Sequence, residues 1–114
     1  MDWKELLPPL CRNRIETRFQ AGGEPLPAGS SKFGGRPDVP ADFVWPVFET
    51  DTADDSTRKP RPLAFLAQFD CARLSELDPE GLLPRTGLLS FFYELGSQRW
   101  GYDPKDAGCA RVFW

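Results

Sequence analysis

A chain of 114 residues can bury one core but not two, and with 40% apolar and 27% charged residues it is not an unfolded polymer. A net charge of −3 and a pI near 4.9 exclude a general binder of nucleic acid, which needs a cationic footprint for phosphates. There is no histidine, so Ser-His-Asp and Cys-His nucleophiles, histidine bases and histidine-held metals are excluded within this chain.

The N-terminus "MDWKELLPPL" lacks the basic start and cleavage site of a secretory signal, and no run of about 18 apolar residues exists. A cytoplasmic protein without membrane contact is expected. Residues 2–10 read as a short helix, with Asp2 as cap and Trp3, Leu6, Leu7 and Leu10 on one side, stopped by Pro8 and Pro9. In "RIETRFQ", Ile15, Thr17 and Phe19 alternate with polar residues, the pattern of a strand with one wet face.

Residues 21–61 hold few signals of regular structure. "SSKFGGRPDVPADFVWP" raises a chemical question, because Lys32 stands beside Gly34 and Gly35. A phosphate loop needs a helix immediately after its glycines, and Pro37, Pro40 and Pro46 forbid one here. The glycines are therefore expected to supply backbone shape, with Phe33, Val39 and Trp45 anchoring the segment. Beyond it, residues 49–61 read as a mobile surface loop with an acidic half (Asp51, Asp54, Asp55) and a basic half (Arg58, Lys59, Arg61).

"PLAFLAQFD" predicts a central strand with Leu63, Phe65, Ala67 and Phe69 on one face. "CARLSELDPEG" predicts a short helix capped by Asp70, with Leu74 and Leu77 facing inward. "LLSFFYEL" and "CARVFW" predict two further strands, joined through turns at Asp103-Pro104 and Ala107-Gly108. The fold class that follows is α+β: a mostly antiparallel sheet of four or more strands, one or two short helices, and a long packed Gly/Pro-rich loop. Cys11, Cys71 and Cys109 form no Cys-x-x-Cys pair and read as reduced thiols, so neither a metal nor another cofactor is expected.

Four ordered segments carry a family resemblance: "SKFGGRPDVPADFVWP" (31–46), "PLAFLAQFD" (62–70), "LLPRTGLLSFFYE" (82–94) and "WGYDPKDAGCARVFW" (100–114). The set resembles the YwqG-like family, a bacterial group described only as a domain of unknown function. The resemblance implies one YwqG-like domain over 1–114, α+β with much antiparallel sheet, and no known catalytic residue. Typical members look about twice as long, which makes this chain a fragment or a compact stand-alone version. Their frequent place near toxin and immunity genes implies protein binding.

The candidate partner-binding residues are Trp100, Tyr102 and Asp103 in an aromatic turn, Asp51, Asp54 and Asp55 in the acidic loop, and Phe113 and Trp114 at the C-terminal strand. Each has a structural counterpart reading: a turn cap, a solvated loop, a core strand. Arg99 and Arg111 are expected in surface pairs or over nearby tryptophans. An apolar last strand needs a neighbour, so strand addition to a partner, or a homodimer through that edge, is expected. The favoured function is a non-enzymatic protein-binding module, an immunity-type protein or inhibitor of a nuclease acting on a toxin or nucleic-acid enzyme. The alternatives are a small-molecule-binding domain, an enzyme using carboxylates, and a structural fragment of a larger protein.

Overall fold

The computed structural model describes residues 3–6, 8, 12–18, 20–22 and 25–114. Its elements are α1 (Trp3–Leu6), β1 (Lys32–Phe33), β2 (Val47–Thr50), β3 (Lys59–Pro62), β4 (Ala64–Asp70), α2 (Cys71–Ser75), β5 (Leu88–Tyr93), a 3₁₀ turn (Pro104–Asp106) and β6 (Ala110–Phe113). Four strands form one sheet in the order β1-β4-β5-β6, and β2 and β3 form a separate hairpin. Every pairing is antiparallel. The class is α+β, as expected.

A register shift between Phe65 and Ala67 organises the sheet. Strict alternation would put Phe65, Ala67 and Phe69 on one face. The bulge inserts Leu66 as an extra residue and inverts the parity. Phe65 therefore packs on Phe92, with ring centres 5.5 Å apart, while Phe69 contacts Phe33 and Phe91 on the opposite face, each at 5.7 Å.

The first face carries a row running straight across the sheet: Lys32, Gln68, Ser90 and Phe113 are register partners in turn. The proline-rich segment lies over this face. Phe43 stacks on Phe92 at 5.8 Å, and Trp45 meets Phe92 edge-on at 5.3 Å while its indole N–H donates to the Leu63 carbonyl at 2.7 Å. Phe92 and Leu63 are each 1% exposed. Trp45 anchors the segment on this face as expected, joined by Phe43, while Phe33 packs against Phe69 on the other face; Val39, Trp45 and Phe33 each keep between 38% and 50% of their surface exposed. The second face carries the row Phe33, Ala67, Phe91, Val112 and is only partly covered.

Several expectations need correction. Residues 12–18 form no strand, because alternation makes a segment competent for a sheet but only a hydrogen-bonding neighbour makes it a strand. Phe19, Asp2, Leu7, Leu10 and Cys11 lie outside the described residues. Residues 21–61 are not all irregular, and 49–61 is not all loop. Thr50 is buried, Arg61 donates from Nε to its carbonyl at 2.8 Å, and β2 and β3 close a hairpin around 51–58. Pro60 and Pro62 are tolerated there because β3 bonds on one side only. Asp70 caps α2 as expected, accepting from the Ala72 N–H at 3.0 Å, but the helix ends at Ser75 and Leu77 turns outward.

Gly34 and Gly35 have φ of 69° and 75°, with nothing within 4 Å of an added Cβ. Space does not demand glycine at either position; conformation does, and it lets the Gly34 N–H reach the Leu66 carbonyl at 2.8 Å. Gly35→Ala should accordingly cost about 1 kcal/mol by forcing a Cβ into the left-handed region. Chemical denaturation would show it, and Gly35→Asn should lose visibly less.

Candidate interaction surface

β6 supplies the first component of the site. It bonds β5 on one side and, among the described residues, no strand on the other. The Glu94 N–H donates to the Cys109 carbonyl at 2.8 Å, and this fixes the phase of the ladder. Antiparallel pairs alternate, so Arg111 and Phe113 turn their backbone groups toward β5 while Ala110 and Val112 turn theirs outward. Val112 is 55% exposed and Trp114 75%.

Trp114 is nevertheless fixed. Its indole N–H donates to the Thr86 carbonyl at 2.8 Å, and a Cβ on Gly87 would lie 2.8 Å from that same nitrogen. Only glycine lets the turn before β5 pass beneath the ring. Phe113 packs edge-on against Phe43 and Phe92, and the Arg111 guanidinium stands over the Phe113 ring at 5.1 Å. Arg111 does make a cation–π contact, then, but on a phenylalanine.

The second component gathers residues that the sequence held apart. Asp51 from the hairpin loop and Trp100, Tyr102 and Asp103 from the aromatic turn line one cleft of about 520 Å³. Arg99 joins them, pairing with Asp51 at 3.3 Å and with buried Asp106 at 3.6 Å. Trp100 and Tyr102 are among the most exposed large side chains. Asp103 has a structural duty: its carboxylate accepts from the Lys105 N–H at 2.9 Å and caps the 3₁₀ turn. Behind the cleft, buried Glu94 accepts from the Gly96 and Ser97 N–H groups at 2.9 and 2.8 Å, and Tyr93 donates its hydroxyl to the Arg99 carbonyl.

Asp54 and Asp55 do not join the cleft. Asp55 pairs with Lys59 at 3.5 Å and Arg61 at 3.2 Å, so the basic half of the loop neutralises much of the acidic half. The Thr57 N–H and Arg61 hold its carboxyl far below the usual range. A continuous acidic surface over Asp51, Asp54 and Asp55 is therefore not what the loop presents. The composition already hinted at this, since the opposite charges stand within ten residues of each other.

Sequence reading missed Asp38 and Gln68. Gln68 is 0% exposed, and its amide donates to the Ser30 carbonyl at 2.8 Å and to Asp38 at 2.7 Å while accepting from the Asp38 N–H at 2.9 Å. Hydrogen bonds from Gln68 and Gly29, with Lys32 alongside, keep the Asp38 carboxyl below its ordinary range despite partial desolvation. A glutamine in an otherwise apolar strand was the available signal.

Residues 31–114 match the family described as "Domain of unknown function (DUF1963)". No curated protein and no solved structure matches the chain.

The ionisable groups bound a pH plateau. Asp38 and Asp55 sit below their ordinary values, and for Glu94 burial pushes upward but the bonds from Ser97 and Gly96 win. Their stabilisation is present above the unfolded value of about 4 and is lost as pH falls through the folded values. Burial raises the Cys71 and Cys109 thiols, so their contribution is present below about 8.5 and is lost as pH rises beyond it. Urea midpoints should be flat between about pH 5 and 8 and fall on both sides. Glu94→Gln should lower the plateau and shallow its acid limb.

Proposed function

Because the chain belongs to the DUF1963 family, whose own description leaves activity open, we propose from the geometry that it is a protein-binding module. It takes an extended segment of a partner protein as a fifth strand beside β6. The observation that carries this reading is an edge that no described strand pairs: Ala110 and Val112 direct their backbone donors and acceptors outward, beside exposed Val112 and a fixed, exposed Trp114. An edge of that kind templates pairing unless something covers it. The opposite edge is a poorer template, since β1 has two residues and one is Lys32.

Charge favours a different protein over a second copy. Each chain carries −3, and symmetric pairing would bring two such charges together with both Arg111 side chains close to the joint. The exposed pair Trp100 and Tyr102 offers further aromatic contact area. Occupancy of a partner's segment is also how an immunity-type protein or enzyme inhibitor acts, and the likeness to the YwqG-like group belongs with this reading. Electrostatic mimicry of nucleic acid does not support it, given how Asp55 and Asp51 are paired.

The free protein should exchange the Ala110 and Val112 amides fast and the Arg111 and Phe113 amides slowly. Binding should protect the first pair. Val112→Pro removes an outward N–H without touching the β5 ladder, so it should weaken the complex tenfold or more, whereas Asp54→Asn leaves it intact. Slow exchange at Ala110 and Val112 in a protein that light scattering shows to be monomeric would refute the open edge. The same protection in a dimer would assign the edge to a second copy.

A further inference from the structure

Beside the β6 edge, on the face covered by the proline-rich segment, lies a groove of about 310 Å³. Its walls are the rings of Phe43, Phe113 and Trp114 with the side chain of Leu88, and its two polar groups are Asp38 and Ser90. Both polar groups have capacity left over. Asp38 takes its hydrogen bonds from Gln68 and Gly29, and its contact with Lys32 at 3.8 Å, all on Oδ2; Oδ1 receives none among the described residues. Ser90 is only 5% exposed, yet its hydroxyl makes no hydrogen bond with the described residues. That hydroxyl is not sealed off, since the buried side-chain polar atom without a partner among the described residues is Ser97 Oγ; Ser90 lines the groove, and its capacity is open to an occupant.

The chemistry narrows the occupant. Asp38 Oδ1 can only accept, whereas Ser90 can donate or accept. A group that does both satisfies the pair, and a hydroxyl is the simplest. The walls call for a flat apolar body, since aromatic rings pack edge-to-face on one another. A cation is disfavoured, because Lys32 already faces Asp38 and Arg111 stands over Phe113 at the rim. An anion is disfavoured by Asp38 itself.

Reach agrees. Ser90 and Phe113 are register partners on the same face. A strand added beyond β6 lies two strand spacings, about 10 Å, from β5. An extended aromatic side chain plus one hydrogen bond crosses that distance over the Phe113 ring.

We infer that this groove receives a tyrosine side chain of the segment added at β6, its ring among Phe43, Phe113 and Trp114 and its hydroxyl between Asp38 Oδ1 and Ser90 Oγ. The inference rests on the strand-addition reading and makes it specific: the partner's segment carries a tyrosine on the face shared with Phe113.

Three blocked pentapeptides, Thr-Val-Tyr-Val-Thr and its central Phe and Lys analogues, titrated into isotope-labelled protein, test it. The Tyr peptide should bind about tenfold tighter than either analogue, the worth of one well-made hydrogen bond, and should shift the Trp114 indole N–H and the Ser90 amide. Ser90→Ala deletes a hydroxyl that bonds to none of the described residues, so its unfolding midpoint should be unchanged or higher while the Tyr advantage disappears. Asp38→Asn, checked for an unchanged amide spectrum, should act likewise. Equal Tyr and Phe binding, or a preference for Lys, overturns the inference. If Ala110 and Val112 shift equally with all three peptides, the edge stands and the groove assignment falls. If the Tyr peptide moves Trp114 and Ser90 but not Ala110 or Val112, the groove assignment stands and strand addition falls.

Discussion

The carboxamide of Gln68 is the constraint on which the arrangement turns. It sits in the middle of the sheet with no access to water, and three hydrogen bonds to Ser30 and Asp38 leave neither of its protons unused. Such a group is costly to bury unpaired, so the sheet and the segment that crosses it are mutually required. Once Asp38 is pinned over Gln68, the chain that follows has little choice. Gly34 and Gly35 have made the turn, the prolines limit what comes next, and Phe43 and Trp45 land on Phe92. A polar clamp thus sets where the apolar cover goes, and the cover makes one wall of the groove.

The β4 bulge acts on the same geometry from the other side. By turning Phe65 onto the face of Phe92 while leaving Ala67 and Phe69 on the opposite face, it divides the aromatic residues between two layers. It also leaves Gln68 on the covered face, opposite Ser90. Without that one-residue shift, the Gln68 carboxamide would face away from the loop that needs it, while Ser90 on β5 would keep its place beside Phe113. Local irregularity here aligns Lys32, Gln68, Ser90 and Phe113 into a single row.

Much of this was legible in the sequence. "LLSFFY" and "ARVF" declare strands by their β-branched and aromatic content, Asp70 before "CARLS" declares a cap, and the Gly-Gly step declares positive φ. The β6 edge could be anticipated because an apolar strand came last among the recognised elements. What escaped is what depends on distant partners. "RIETRFQ" alternates well but forms no strand over 12–18; "KPRP" looks like loop but pairs with "VFET" because its prolines need bond on one side only. Asp51 and the Trp100 turn stand about fifty positions apart and meet because Arg99 reaches both Asp51 and Asp106. Gln68 looked like the polar face of a strand, and no sequence pattern says that a carbonyl 38 positions earlier will cover it.

The distribution of satisfied and unsatisfied polar groups separates structure from recognition in this molecule. Asp55, Asp103, Asp106 and Glu94 are spent on backbone N–H groups and guanidinium partners that shape loops. The carboxylates whose acidity is visibly altered, Asp38, Asp55 and Glu94, are all held ionised. That state suits a scaffold or an acceptor of hydrogen bonds; a general acid needs the opposite shift. Among the described residues, the buried Ser97 hydroxyl lacks a partner away from the groove; beside the groove, capacity is left over on the outward groups of Ala110 and Val112, the hydroxyl of Ser90 and the second oxygen of Asp38. These lie on the last strand, on the strand it pairs with, and on the segment that covers both. Grouped beside exposed Trp114, these four groups stand where an incoming strand could meet all of them at once.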